Sequence, residues 1–292
     1  MVVHGDRADL PAPGSLPVVV LWVGDEFGGD GPAAADAVVG PDDVDDALRA
    51  VASAPIAAAS LVALLRTVCE VPVDEALALE SATYSMLHAG VEFAAWRKSA
   101  SHRADTSTEP TVSVDRIGDE LRIVLDRPHR HNAISVRLRD ELTAALAVAV
   151  VDSSIVTIDL SGSGPSFSSG GDLAEFGTRP DVAAAHVTRL ARSPARLAHR
   201  LANRLTARVH GATFGGGIEL AAFAGRVVAH PDTLIRLPEI ELGLIPGAGG
   251  TVSLSHRIGR QRLAALALTG LTIDAVTARR WRLVDAIEPS AV

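Results

Sequence analysis

The chain has 292 residues, 48% of them hydrophobic, which is enough for one large domain or one domain with an extension. Its formal net charge of −8 argues against nucleic acid as the main partner, and no apolar run approaches the roughly 20 residues that a membrane helix needs. Cys69 is the only cysteine, which excludes an internal disulfide and a cysteine-rich metal site and fits a reducing cytoplasm; no metal site is expected.

Residues 1–40 divide into a polar, proline-punctuated start to about Leu16, a strand at Val18–Val23 and a loop from Gly24 to Pro32. The start is expected to be poorly ordered. No basic segment precedes the strand, so no signal peptide is expected, and the loop lacks the Gly-Lys-Ser/Thr of a phosphate-binding P-loop. Residues 41–98 read as helical. Asp42 and Asp43 suit a first turn, and Ile56–Val68 and Val73–Leu87 are separated by Val71-Pro72, where a helix breaks. A shorter helix follows at Val91–Lys98. The serine-, threonine- and charge-rich stretch 99–110 is the clearest linker.

From residue 111 to 292 the pattern alternates. Strands are expected at Thr111–Asp115, Leu121–Leu125, Ile155–Leu160, Ala207–Val209 and Val227–Ala229. Helices are expected at Val136–Val150, Ala183–Leu205, Glu219–Ala224 and Leu263–Leu268. Strand–helix alternation with glycine-rich turns after strands predicts an α/β fold with parallel pairing.

Two of those turns are chemically suggestive. Ser169-Gly170-Gly171-Asp172 follows one strand, and Gly215-Gly216-Gly217 opens the helix that carries Glu219. A helix N-terminus has unpaired N–H groups, and glycine lets a ligand approach the backbone closely. Two such donors converging on one carbonyl oxygen form an oxyanion hole. Alternatively, the glycines only permit tight turns and close helix packing. A second acid, Glu239, follows Leu237-Pro238 and leads into Gly247-Ala248-Gly249-Gly250-Thr251.

These pieces, in this order, resemble the enoyl-CoA hydratase/isomerase (crotonase) superfamily. The resemblance runs from Leu125-Asp126-Arg127-Pro128 and Asn132-Ala133-Ile134, through Phe167–Leu173, His210–Leu220 and Pro238–Thr251, to Leu283-Val284-Asp285. It implies a core spiral of ββα units. It further implies oxyanion donors at the backbone N–H of Gly171 and Gly216, and acid/base glutamates at Glu219 and Glu239. Ser169, Gly170, Gly215 and Arg130 fall where the family holds substrate and coenzyme A. Many relatives that isomerise, hydrolyse or decarboxylate keep one glutamate or neither, so retaining both favours hydration of a 2-enoyl-CoA. Coenzyme A is then part of the substrate and no separate cofactor is expected. An enoyl-CoA isomerase and a non-catalytic acyl-CoA-binding subunit are the alternatives. The family forms trimers or dimers of trimers. Two departures stand out: Arg236, which either enters the pocket or points outward, and Arg282, in place of a usual glycine before Leu-Val-Asp.

The family normally continues past Leu283-Val284-Asp285 into helices that cover the site. Here such helices resemble residues 41–98, which include the near-terminal aromatic cluster of Phe93 and Trp96 with Arg97 and Lys98. The resemblance implies a circular permutation in which the closing helices come first, with those four residues as candidates to touch coenzyme A. An unrelated helical extension is the rival account.

Overall fold

The computed structural model describes residues 2–3, 18–100, 107–179 and 181–289. Among the described residues the strands form three sheets. The largest has six strands in the order β12-β9-β7-β6-β5-β4. They are β4 (Val112–Ile117), β5 (Glu120–Leu125), β6 (Thr157–Gly162), β7 (Leu205–Val209), β9 (Arg226–Ala229) and β12 (Ala286–Ile287). Only the β4–β5 pair is antiparallel. Alternation builds these strands: Leu121, Ile123 and Leu125 of β5, Ile158 and Leu160 of β6, and Leu205, Ala207 and Val209 of β7 are all buried.

A second sheet joins β8 (Ala212–Phe214), β10 (Leu234–Arg236) and β11 (Ile273–Asp274), with β8 and β10 parallel. The helices of this half are α5 (Val136–Val151), α6 (Val182–Ala191), α7 (Pro194–Arg200), α8 (Gly216–Ala221), α9 (Gly250–Ile258), α10 (Arg260–Thr269) and α11 (Ala275–Arg280). The single helix expected over 183–205 is instead two helices, a 3-10 turn at Ala202–Arg204 and the first residue of β7. Pro194 supplies no N–H to continue α6, and the Ser193 side chain caps the new helix by accepting from Arg196 N–H at 3.2 Å.

The N-terminal third has a small parallel sheet of β1 (Val2–Val3), β2 (Leu21–Val23) and β3 (Ala37–Val39). The expected weak order of the first 16 residues falls almost wholly outside the described residues; Val2 and Val3 instead pair with Leu21 and Trp22. Four helices follow: α1 (Val44–Ser53), α2 (Pro55–Leu65), α3 (Val73–His88) and α4 (Val91–Ser99). These helices do not stand apart. β3, α1 and α2 pack on α10, α3 packs on α6 and α9, and their buried side chains join one continuous core with those of the large sheet. Among the described residues, no single helix is long and apolar enough to cross a membrane.

Asp36 joins this third to the rest. It is 2% exposed. Its carboxylate accepts from Val20 N–H at 2.8 Å, takes the Arg66 guanidinium on both oxygens at 2.8 and 2.7 Å, and lies 3.7 Å from Arg260. Removing one partner of a buried pair leaves the other charge desolvated, so Asp36→Ala is expected to cost about 3–5 kcal/mol. Urea denaturation reads this directly; a loss below about 1 kcal/mol, the range of an exposed pair, would contradict it.

Candidate active site

Strand register brings the two glycine turns and the two glutamates together. β8 and β10 run in parallel with Phe214 opposite Arg236, and Gly215 N–H donates to Arg236 O at 2.9 Å. The next residues along the two strands therefore emerge side by side: Gly215 opens α8 and its Glu219, while Leu237-Pro238 leads to Glu239 at the start of a 3-10 turn. Ser168 bridges to Thr213 on the other edge of β8, with Ser168 N–H on Ala212 O at 3.2 Å and Phe214 N–H on Ser168 O at 2.9 Å. That bridge holds the first turn against the second. The site lies beyond the carboxyl ends of the parallel strands, where open α/β sheets bind ligands.

Local backbone bonding sets the direction of the Gly171 N–H. Ile134 N–H donates to Gly170 O at 2.7 Å, and Asp172 N–H donates to Ile134 O at 3.1 Å. Both bonds skip Gly171, so its N–H faces away from Ile134, and Gly171 itself lines a cavity of about 450 Å³. Gly216 is the first residue of α8, where an N–H has no intrahelical acceptor. Neither N–H has a hydrogen-bond partner among the described residues. The turns are close neighbours: a Cβ placed on Gly216 would stand 3.9 Å from Gly171 N. Asp172 both caps and anchors its turn, accepting from Ala174 N–H at 3.1 Å and pairing with buried Arg127 at 2.7 Å.

Glu219 and Glu239 are 1% and 8% exposed, and both line the cavity. Glu219 Oε2 accepts from Ala248 N–H at 2.7 Å and from Gly250 N–H at 2.9 Å. Glu239 Oε2 is buried with no partner among the described residues. Burial, then the charges of Glu239 and Glu80, pushes the Glu219 carboxyl well above the usual range. Burial, with the charges of Glu80 and Glu241, pushes Glu239 up to about 8. Two such groups in one pocket do not both ionise near neutrality. The paired N–H donors favour the charged form of Glu219, whereas Glu239 Oε2 has no such donor among the described residues.

Of the residues singled out in the sequence, Ser169, Gly170, Gly171, Gly215, Gly216, Glu219 and Glu239 all line this cavity. Arg130 does not; it lies in the 3-10 turn Pro128–Arg130, and the loop reaches the cavity through Ile134 instead. Arg236 points away, donating to Gly270 O at 2.7 Å and pairing with Glu241. Phe93 is buried, with its ring stacked on His88 at 4.2 Å, and so is not presented to a ligand.

Helices over residues 41–98 were expected to cover the site, but none of the α3 residues that do so stood out in the sequence. Leu77, Glu80, Ser81, Tyr84, Ser85 and His88 of α3 line the cavity, as does Arg189 of α6. Arg189 spans the two helices, donating to Ser81 O at 3.1 Å and lying over the Tyr84 ring at 5.0 Å. Burial and Arg189 push His88 down to about 4, so it is neutral. The missed signal was an acid in an apolar stripe: Ala76, Leu77, Glu80 and Ser81 share the buried face of α3.

Comparison with known proteins agrees with this geometry. Residues 121–292 match the model of the family described as enoyl-CoA hydratase/isomerase. The chain is 35% identical over 170 residues to the 2,3-dehydroadipyl-CoA hydratase of Escherichia coli (strain K12), covering 58% of this chain and 66% of that protein. It is 33% identical over 190 residues to the "Probable enoyl-CoA hydratase, mitochondrial" of Dictyostelium discoideum, covering 62% of this chain and 64% of that one. The chain thus spans slightly under two-thirds of the length of these two relatives. A Thermobifida fusca YX crystal structure in complex with CoA superposes with a TM-score of 0.56 at 28% identity, over 62% of this chain and 73% of that one. With the turns, the sheet register and the matched residues in agreement, the chain belongs to the enoyl-CoA hydratase/isomerase family.

Proposed function

We propose that this protein adds water across the double bond of a 2-enoyl-CoA thioester to give a 3-hydroxyacyl-CoA. One observation carries the reading: two buried glutamates and two glycines, whose backbone N–H groups have no hydrogen-bond partner among the described residues, line the same cavity. In the proposed reaction Glu219 takes a proton from water as the oxygen bonds to Cβ. The double-bond electrons move toward the thioester, and the N–H groups of Gly171 and Gly216 stabilise the resulting enolate oxygen. Glu239 then gives its proton to Cα. Coenzyme A enters and leaves with the acyl group, and the chemistry needs no other cofactor. The E. coli relative's name and the Thermobifida complex support an acyl-CoA as the ligand.

The helices α1–α4 are proposed to take the place of the family's closing helices, as in a circular permutation with its boundaries near residues 41–98. The placement of α3 along the cavity supports this. We further propose a trimer or a dimer of trimers working in the cytoplasm, the latter resting on the single cysteine.

Mixing the protein with crotonyl-CoA and following the conjugated thioester absorbance tests the main reading. Absorbance loss supports hydration. Turnover of a 3-enoyl-CoA without any hydration would assign isomerisation instead, and acyl-CoA binding without α-proton exchange would assign a binding subunit.

The pH profile follows from the donor. Burial and the neighbouring carboxyls push Glu239 up to about 8, so if it is the donor, kcat is expected to fall as pH rises through that value. A rate that stays flat well above pH 8 would remove Glu239 as the proton donor.

A further inference from the structure

The turn Ala248–Thr251 is held between two carboxylates, and only one of them belongs to the reaction proposed above. Its successive N–H groups alternate. Those of Ala248 and Gly250 go to Glu219, at 2.7 and 2.9 Å. Those of Gly249 and Thr251 go to Glu80, at 2.7 and 2.9 Å, and the Thr251 hydroxyl adds a third bond to Glu80 at 2.6 Å. Glu80 is 2% exposed on α3, so an N-terminal helix reaches across the chain to grip the loop that orients Glu219.

We propose that Glu80 is a positioning residue for the acid/base pair: it fixes the 248–251 turn so that two N–H groups aim at Glu219, and its charge helps retain the proton on Glu239. The role deepens the hydration reading and rests on it.

The electrostatics run in the same direction. Burial pushes Glu80 up to about 7, while its bonds to Thr251 and Gly249 and the Arg189 charge pull it back toward the ionised form. Glu80 in turn raises both Glu219 and Glu239. Tyr84 and Arg189 also act on Glu80, and the charges of Glu241 and of outward-pointing Arg236 reach Glu239. Removing the Glu80 charge therefore makes Glu239 a stronger acid, which loses its proton at lower pH.

The test compares the 292-residue wild-type chain with Glu80→Gln and Glu80→Ala in crotonyl-CoA hydration. Glu80→Gln is expected to lower kcat by about ten- to a hundredfold while KM changes by less than about threefold, because the loop is misplaced rather than the substrate site. The alkaline limb of its pH profile should move to lower pH. Glu80→Ala should be worse than Glu80→Gln, which keeps one acceptor. A wild-type kcat and profile in Glu80→Gln would overturn the proposal. So would a fallen kcat with an unmoved limb, which marks a purely structural residue. If these variants do not fold, Thr251→Val removes only the hydroxyl bond and should move the limb in the same direction; an unmoved limb there also overturns the role.

A readout without catalysis separates this proposal from the hydration reading. Carbon-13 titration of the glutamate carboxyls should show Glu239 titrating at lower pH in Glu80→Gln than in wild type, even if crotonyl-CoA is not turned over. An unchanged titration overturns the Glu80 proposal; an inactive wild type with a shifted titration overturns the hydration reading alone.

Discussion

Glu219→Gln is expected to lower kcat for hydration by about 10³-fold, within the 10²–10⁴ range of a lost general acid or base. The substitution preserves shape, and the amide oxygen can still accept from Ala248 or Gly250 N–H. What disappears is a carboxylate able to take a proton from water. KM should change little, because in the proposed reaction Glu219 meets the water rather than the coenzyme. Glu239→Gln should fall in the same range, and the double variant should be little worse than either single one, since the two groups act as a unit. A Glu219→Gln enzyme within tenfold of wild type would transfer the base role elsewhere and remove the main argument for hydration.

Gly215→Ala is expected to cost about 10²–10³ in kcat together with a lower melting temperature. The residue has φ 44° and ψ −124°, a conformation that essentially only glycine adopts without strain. An added Cβ would also stand 2.4 Å from Glu239 Oε1, so that carboxyl must move. The following residue is Gly216, whose N–H would be re-aimed as the backbone relaxes. One methyl group therefore disturbs the proposed oxyanion donor and the proposed acid at once, and the backbone strain adds about 1–3 kcal/mol of destabilisation. Steady-state kinetics with a thermal melt reads both effects. Wild-type kcat at an unchanged melting temperature would show that the turn tolerates the substitution and is not a fixed part of the site.

The parts of the site that follow from local chemistry were legible in the sequence. Glycine at 170 and 215 marks positions that the backbone holds at φ 92° and 44°, and glycine is the residue type that such conformations select. Arg282 shows the same rule by exception: it occupies φ 65°, a left-handed position that costs a non-glycine residue about 1–2 kcal/mol. The alternating pattern of β5 to β7 and the break at Pro72 were equally local, since strand alternation and a missing N–H need no distant partner. Short elements were harder to read. β8, β10 and β11 are two or three residues each, too short for periodicity, and they form because neighbouring strands supply their hydrogen bonds.

Amino-acid order alone determined the family, the glycine turns and the identity of two acids, because each depends on residue types close together in the chain. Tertiary structure decided what those acids face. The parallel pairing of Phe214 with Arg236 set Glu219 beside Glu239, and α3 brought Glu80 against a turn 169 positions away. It also turned Arg236 outward and left Arg130 off the cavity wall. The physical reason is the same in each case: burial and hydrogen-bond partners at long separation fix where a side chain points, and no local pattern in a sequence encodes them.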